Sequence, residues 1–505
     1  MVLDDLVVGM ENFRTFGGVP VYQIAFDSRE IERRNDGSGA LFFALPGSNT
    51  DGHNLIGDVL AKNSYSVVIS ERDLTKFCER SIQVSDIRTT MAIAARKFTD
   101  FPDKKLKVIA ITGTDGKTTT AYLCRAMLSR MGKTAMFGTV ECDIGGKIES
   151  CPNTTPAAIT LFKMINRAVA NGCKNLALEV SSHGIEERRA YGLDVDVAIF
   201  TNLSSEHLDF HKTIGSYFVT KMKLFNGANG CLPKFSAVNI DDTHGRGLFS
   251  LLKDSGRKVF SFGFSPGADF KICNVEKNDI TGSAFEILAD GSVYKFSSPM
   301  FGAHNLVNVA AAFTACAMIY GCRREFIEAV GEFASVPGRL ERVNLANGVI
   351  AFVDYAHTPR ALEVVLGVLS ASKKGKLIAV FGCGGDRDAD KRAPMTKVAN
   401  EISDFAIATS DNPRNEPQEN IFSDMARGVV DGKKIVFIAD RKEAISRALL
   451  LAEAGDVVLV AGKGHEPYQI IDGKILDFDD RKILESVSLR LEKSRRRMGK
   501  DGDGM

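Results

Sequence analysis

The sequence predicts an α/β protein built in three parts, and three observations lead there. At 505 residues the chain is too long for one ordinary core. Apolar, β-branched runs alternate with helical patterns from about residue 104 to 335, and again after Pro337-Gly338-Arg339. A glycine-rich turn lies between the first such strand and the helix that follows. Alternation of this kind implies a largely parallel sheet with crossover helices.

The parts follow in order. Residues 1–103 hold short mixed α/β elements and end in the turn-prone Phe101-Pro102-Asp103-Lys104-Lys105. Residues 104–335 hold predicted strands at Val108–Ile111, Ala177–Val180, Val197–Phe200 and Ala237–Ile240. Residues 336–505 hold Val349–Val353, Leu377–Phe381, Phe405–Thr409, Ile435–Ile438 and Val457–Val460. This last part reads as a Rossmann-like domain, although its first turn lacks the GxGxxG fingerprint. The most apolar run, Val309–Tyr320, is shorter than the ~20 residues a membrane span needs and is predicted to be a core helix. Lys493, Arg495, Arg496, Arg497 and Lys500 read as a solvated helix end.

Composition excludes several classes. There are 64 basic and 63 acidic residues, a net charge of +1, which argues against a nucleic-acid platform. No membrane insertion is expected. The ten cysteines are scattered without a CxxC pair, and no signal-peptide pattern precedes them. They are therefore expected to be reduced thiols of a cytoplasmic protein.

The chemistry starts at Gly113-Thr114-Asp115-Gly116-Lys117-Thr118-Thr119. Glycines let backbone N–H groups close around phosphate oxygens, the lysine reaches the terminal phosphates, and Thr118 can hold Mg²⁺. The loop is two residues shorter than the usual phosphate loop, because Ile111 stands where that motif has its first glycine.

In open α/β sheets, ligands bind beyond the carboxyl ends of the strands. Glu179 sits at such an end, where an apolar setting demands a cation or a salt bridge. His207 and His211 stand four residues apart, as helical metal ligands can, or as part of a capped helix start. Six of the eight histidines fall in strand-end runs: His183, His207, His211, His304, His357 and His465. In the last part, four runs leave predicted strands: Asp354–Pro359, Gly382–Asp388, Ser410–Arg414 and Ala461–Glu466. They bring arginines and carboxylates to one rim, which suits a ligand carrying both carboxylate and ammonium groups.

Taken together, these runs resemble the Mur ligases, ATP-dependent amide-forming enzymes of peptidoglycan precursor synthesis. The resemblance covers essentially the whole chain, in motif order. It rests on the shortened phosphate loop, Asp27-Ser28-Arg29, Asn153-Thr154-Thr155-Pro156, Glu179-Val180-Ser181-Ser182-His183-Gly184, Asp411-Asn412-Pro413-Arg414 and Gly462-Lys463-Gly464-His465-Glu466. It implies a UDP-binding domain (1–103), a central domain for ATP and Mg²⁺ (104–335) and an amino-acid-binding domain (336–505). Within the family it points to the members that add the third residue. The implied substrate is UDP-N-acetylmuramoyl-L-alanyl-D-glutamate.

Residue by residue, the resemblance implies that Lys117 and Thr118 engage phosphate and metal, and that Glu179 and His207 are metal ligands. Lys221 matches a carbamylated lysine, whose anionic form would help hold a second metal. Ser28 matches a contact to the UDP end, and Thr154, Thr155, Ser182 and Arg189 match contacts to the muramoyl-dipeptide. Asn305 matches an adenine contact, and Arg339 and Asp354 match further nucleotide contacts. Arg387, Asp411, Asn412, Pro413, Arg414, Gly462 and Glu466 match the amino-acid site. There Arg414 implies meso-diaminopimelate over L-lysine or L-ornithine.

One position departs from the family. Glu187 stands where a glutamine is usual and is assigned no role. A monomer is expected. The alternatives are a folylpolyglutamate-synthase-like ligase, which shares the short loop, and a ligase that has lost its activity and serves as a scaffold.

Overall fold

The computed structural model describes residues 2–7, 16, 18–47, 50–151, 153–346 and 348–502. The side chains of 208, 209 and 494–502 are outside it, so most of the basic tail cluster lies outside the described residues. Two compact units emerge. The first comprises Met1–Val275, Phe285–Ser297 and His304–Glu332; the second comprises Glu276–Ala284, Ser298–Ala303 and Phe333–Met505.

The first unit contains a four-stranded parallel sheet of Val21–Ala25, Gly39–Phe43, Val67–Ser70 and Ser81–Gln83. It also contains a larger sheet centred on Lys107–Thr112, with Val197–Phe200 on one side and Asn175–Glu179 on the other, all parallel. Val108 to Thr112 are buried throughout, as expected of a strand covered on both faces. Ile111 pairs with Glu179, and Thr112 with Phe200. The register therefore delivers the phosphate loop, Val180 and Thr201 side by side at one edge.

The strand starts predicted at 108, 177 and 237 lie at Lys107, Asn175 and Phe235, and Val197–Phe200 is as read. Helix Ala303–Tyr320 is long and apolar enough to cross a membrane but is mostly buried in the protein. Its Phe313 packs against Phe270, Tyr294 and Phe296, in keeping with the expected core helix.

The second unit is a six-stranded sheet in the order Glu341–Asn344, Ile350–Asp354, Val457–Ala461, Leu377–Cys383, Phe405–Ser410, Ile435–Phe437. Only the first of these is antiparallel. Side chains alternate between two cores. Phe352, Phe381 and Leu459 pack on one face, while Val353, Val380 and Val458 pack on the other. Asp354 pairs with Ala461, and Cys383 with Ser410, so the predicted rim runs do leave one edge.

The thiol expectation needs a correction. Cys142 and Cys151 are joined in a disulfide, and the other eight cysteines are free. Short antiparallel strands, Cys142–Asp143 and Ile148–Glu149, fold the segment back and bring the two Cα atoms to 5.7 Å, within bridging range.

Candidate active site

In the first unit, the turn after Lys107–Thr112 is shaped by two glycines. Gly116 caps helix Lys117–Leu128 in the left-handed region (φ 82°), and a Cβ there would lie 2.5 Å from Asn308 Oδ1. A Cβ on Gly113 would lie 1.9 Å from Thr201 Oγ1. The next strand's exit holds the loop in place. Asp115 N–H donates to Asn202 Oδ1 (2.9 Å), and Thr201 Oγ1 donates to Asp115 O (2.7 Å). Lys117 Nζ curls back onto the carbonyls of Gly113 (3.0 Å) and Thr114 (2.7 Å), while Thr118 and Thr119 occupy the helix's first turn.

Glu179 is buried at its strand end. Its carboxylate accepts from Thr118 Oγ1 (3.0 Å), Thr139 N–H (2.9 Å) and Thr139 Oγ1 (3.1 Å), all neutral donors. Among the described residues it forms no ion pair. Thr139 Oγ1 lies 3.1 Å from Thr154 Oγ1, and Thr155 Oγ1 donates to Glu179 O at 2.9 Å. Arg189 donates to Thr155 O (2.9 Å) and to Glu187 Oε2 (2.7 and 3.0 Å), so the unassigned Glu187 is the arginine's partner.

Lys221 is buried, with Nζ 2.8 Å from Gly113 O and 4.4 Å from the Tyr217 ring centroid. Burial, and after it the charge of Lys117, push this amine well below the usual lysine range; Glu206 and Asp115 oppose the shift. His183 gathers the rings of His207 (4.9 Å), His211 (5.7 Å) and Phe210 (4.2 Å). Burial, with His183 and Lys221, lowers His211 to about 4, and its Nε2 has no hydrogen-bond partner among the described residues. Asn305 accepts from Asn308, which reaches Thr120. Ser28 opens the short turn Ser28–Glu30 that follows strand Val21–Ala25, and Lys62 Nζ donates to its carbonyl (2.9 Å).

The second unit assembles the predicted rim. Asn412 Nδ2 donates to Glu466 Oε2 (2.9 Å), and buried Lys463 donates to both Asn412 Oδ1 (3.0 Å) and Glu466 Oε2 (3.2 Å). Arg414 adopts φ 57°, and its Nη1 donates to Gly385 O at 2.8 Å. Its backbone is pinned to the hairpin Tyr468–Ile471/Lys474–Asp477, because Arg414 N–H donates to Ile470 O and Asp472 N–H donates to Arg414 O. Pro413 joins Asn412 to Arg414 in the chain. Arg387 is exposed in the turn after Leu377–Cys383.

Asp354 accepts from Leu340 N–H (2.6 Å) and Ala356 N–H (2.7 Å); burial raises it, against the pull of Arg339. The Arg339 guanidinium lies 4.9 Å from the Tyr355 ring centroid. Three loops meet here with no room between them. A Cβ on Gly338 would sit 2.2 Å from His465 N, and one on Gly464 2.7 Å from Tyr355 Cβ.

Comparison with known proteins decides the family. The profile of the Mur ligase middle domain matches residues 111–316, and that of the Mur ligase glutamate ligase domain matches 338–464. A UDP-N-acetylmuramoyl-L-alanyl-D-glutamate--2,6-diaminopimelate ligase of Solibacter usitatus is 39% identical over 468 residues, covering 92% of each chain. The chain belongs to the Mur ligase family.

A ligase of the same name from Aquifex aeolicus is 38% identical over 92% of this chain and 93% of its own. A solved structure of a ligase of that name superposes with a TM-score of 0.71 at 32% identity, covering 97% of this chain and 99% of that one. Within this Mur ligase, the residues predicted from the loop, Glu179, Thr154, Thr155, Arg189 and Lys221 form one hydrogen-bonded neighbourhood. Asn412, Arg414 and Glu466 form another, with Asp411 and Gly462 packed against each other beside them.

Sequence reading passed over Thr139, Asn308 and Tyr217, which support the first neighbourhood, and gave Lys463 no role in the second. Lys463 was visible within its motif. Nothing in the sequence marked Thr139.

Proposed function

We propose that this Mur ligase joins meso-diaminopimelate by an amide bond to the D-glutamyl γ-carboxylate of UDP-N-acetylmuramoyl-L-alanyl-D-glutamate, with ATP consumed. The observation that carries this reading is the rim, where Arg414, Asn412 and Glu466 converge in a chain that also holds an intact phosphate loop. A carboxylate is a poor electrophile because hydroxide leaves badly. Phosphoryl transfer from ATP makes it an acyl phosphate, the amino group attacks, and the tetrahedral adduct expels phosphate. Lys117 and the loop N–H groups supply positive charge to the moving phosphoryl group. Binding ATP gives Lys117 phosphate oxygens in place of the two carbonyls it now caps.

The residues present fit Mg²⁺. Glu179 is a buried carboxylate with neutral donors only, next to the Thr118 hydroxyl. Among the described residues no three His, Cys, Asp or Glu side chains form a ready cage. That suits Mg²⁺, which is usually held by one or two carboxylates together with substrate phosphates. Thr118 and Glu179 would hold it, with His207 and a carbamylated Lys221 at a second ion; when bound, Mg²⁺ neutralises phosphate charge. Carbamylation needs a neutral amine, and burial of Lys221 favours one. Nζ adds to CO₂, one proton leaves, and a carbamate anion results.

Ser28 would hold the UDP end, and Thr154, Thr155, Ser182 and Arg189 the muramoyl-dipeptide. Asn305, Arg339 and Asp354 would contact the nucleotide. Arg387 and Glu466 would flank Arg414 at the amino acid. The domains are 1–103, 104–335 and 336–505, in a monomeric cytoplasmic enzyme.

The test is ATP-dependent phosphate release with the UDP-linked dipeptide and meso-diaminopimelate, L-lysine or L-ornithine in turn. Release with diaminopimelate alone, with the tripeptide confirmed by mass, is expected. Preference for lysine or ornithine would overturn the role of Arg414, and no release with any of them would overturn the ligase.

A further inference from the structure

We infer that the buried pair Arg441–Asp480 is a positioning device for the amino acid, setting the distance between the loop that carries Arg414 and the loop that carries Glu466. This rests on the reading above that the rim holds the incoming amino acid.

Arg441 opens helix Arg441–Leu451, just after the N-cap Asp440. Neither its side chain nor that of Asp480 has any exposed surface. The two meet as a fork, Nε to Oδ1 and Nη2 to Oδ2, each at 2.8 Å. Two more of the guanidinium's donors go to main chain: Nη1 to Ser410 O (3.2 Å) and Nη2 to Ala461 O (3.0 Å). Ser410 and Ala461 are the last residues of strands Phe405–Ser410 and Val457–Ala461. These strands are not neighbours, because Leu377–Cys383 lies between them. One side chain therefore spans the middle strand and ties together the ends of the two that flank it.

Asp411-Asn412-Pro413-Arg414 leaves the first of these ends, and Gly462-Lys463-Gly464-His465-Glu466 leaves the second. The loops have little slack beyond the tie, since Asn412 already bonds Glu466 and a Cβ on Gly462 would lie 2.5 Å from Asp411 Oδ2. A fold that needed only stability here could use apolar side chains of similar volume, which often replace a buried ion pair without loss. They could not hold two carbonyls of separate strands in a planar fork. Fixing those carbonyls fixes the origins of both loops, and so the spacing of the groups that grip a ligand's two ends.

The experiment compares three variants with the wild type. Arg441→Lys keeps the charge and loses the fork, the double variant Arg441→Met/Asp480→Leu removes the pair, and Arg414→Ala is the reference. KM for meso-diaminopimelate, KM for ATP and kcat are measured, with thermal melts to report folding. In the lysine and double variants, diaminopimelate KM is expected to rise about tenfold or more, equivalent to 1.4 kcal/mol or more, while ATP KM stays within about twofold.

A double variant that melts normally and keeps its diaminopimelate KM overturns the proposal. If it does not fold, the same KM comparison on Arg441→Lys decides. Equal changes in the KM for both substrates, or a fall in kcat alone, also overturn it. Should Arg414→Ala leave diaminopimelate KM unchanged, the rim reading fails, which is separate from a failure of the positioning role.

Discussion

Glu179 and Lys221 carry opposite formal charges, and both are buried within one neighbourhood; what surrounds each decides its use. Hydroxyls and an N–H meet Glu179, leaving its charge for a cation. Lys221 is cut off from water and faces the charge of Lys117, which favours the neutral amine despite its contacts with a carbonyl and a ring face. Protein incubated with ¹³C-labelled CO₂ is expected to give a carbamate resonance that Lys221→Ala lacks, and that variant is expected to lose about 100-fold or more in kcat. An unchanged kcat would remove Lys221 from the chemistry. Arg414→Ala is expected to raise the diaminopimelate KM by about 10- to 100-fold, matching the ~1.5–3 kcal/mol of a charged hydrogen bond; equal loss with every amino acid would contradict it. Gly113→Ala drives a methyl into Thr201 Oγ1, so nucleotide affinity measured by calorimetry is expected to fall about tenfold or more. The residues that were legible in the sequence are those whose chemistry is local, such as a lysine after a glycine turn or an acid at a strand end. Arg441 and Asp480 were not legible. Charged residues 39 positions apart read as surface, and only the folded sheet shows them as partners.

At the scale of elements, the central strands were legible because each is apolar on both faces, and buried parallel strands have no polar alternation to blur their ends. The strands Phe270–Asp279, Gly282–Ala289 and Ser292–Ser298 went unread for the opposite reason. Residues from Val275 to Asn278 are exposed, so no apolar run announces them. The edge strand Glu341–Asn344 likewise buries one residue in four. The disulfide Cys142–Cys151 had no spacing signature, since the backbone hairpin makes the pair. Closing so short a loop is worth about 2–3 kcal/mol in the chain-entropy account. Cys142→Ser/Cys151→Ser is therefore expected to lose about that much in urea unfolding. No change in midpoint would show the bond to be without effect on stability.

For the whole molecule, acid is the sensitive direction. His211, His304 and His465 are each lowered to about 4, chiefly by burial. Between about 4 and the ordinary histidine value near 6.5, the unfolded chain binds protons that the folded chain refuses. Their contribution is therefore complete above about 6.5 and is lost as the pH falls toward 4. Thermal melts are expected to decline across that window, and His211→Gln to flatten the slope; a midpoint independent of pH there would contradict this. The meeting of Gly338, Tyr355 and Gly464 carries a different consequence. Both glycines are buried where the loops touch, packed so closely that neither can take even a methyl group. With no side chain at either position to adjust, the loops that carry Gly338, Tyr355 and Gly464 keep a single spacing, and a substitution at either glycine has to push a neighbouring loop aside before it can be accommodated.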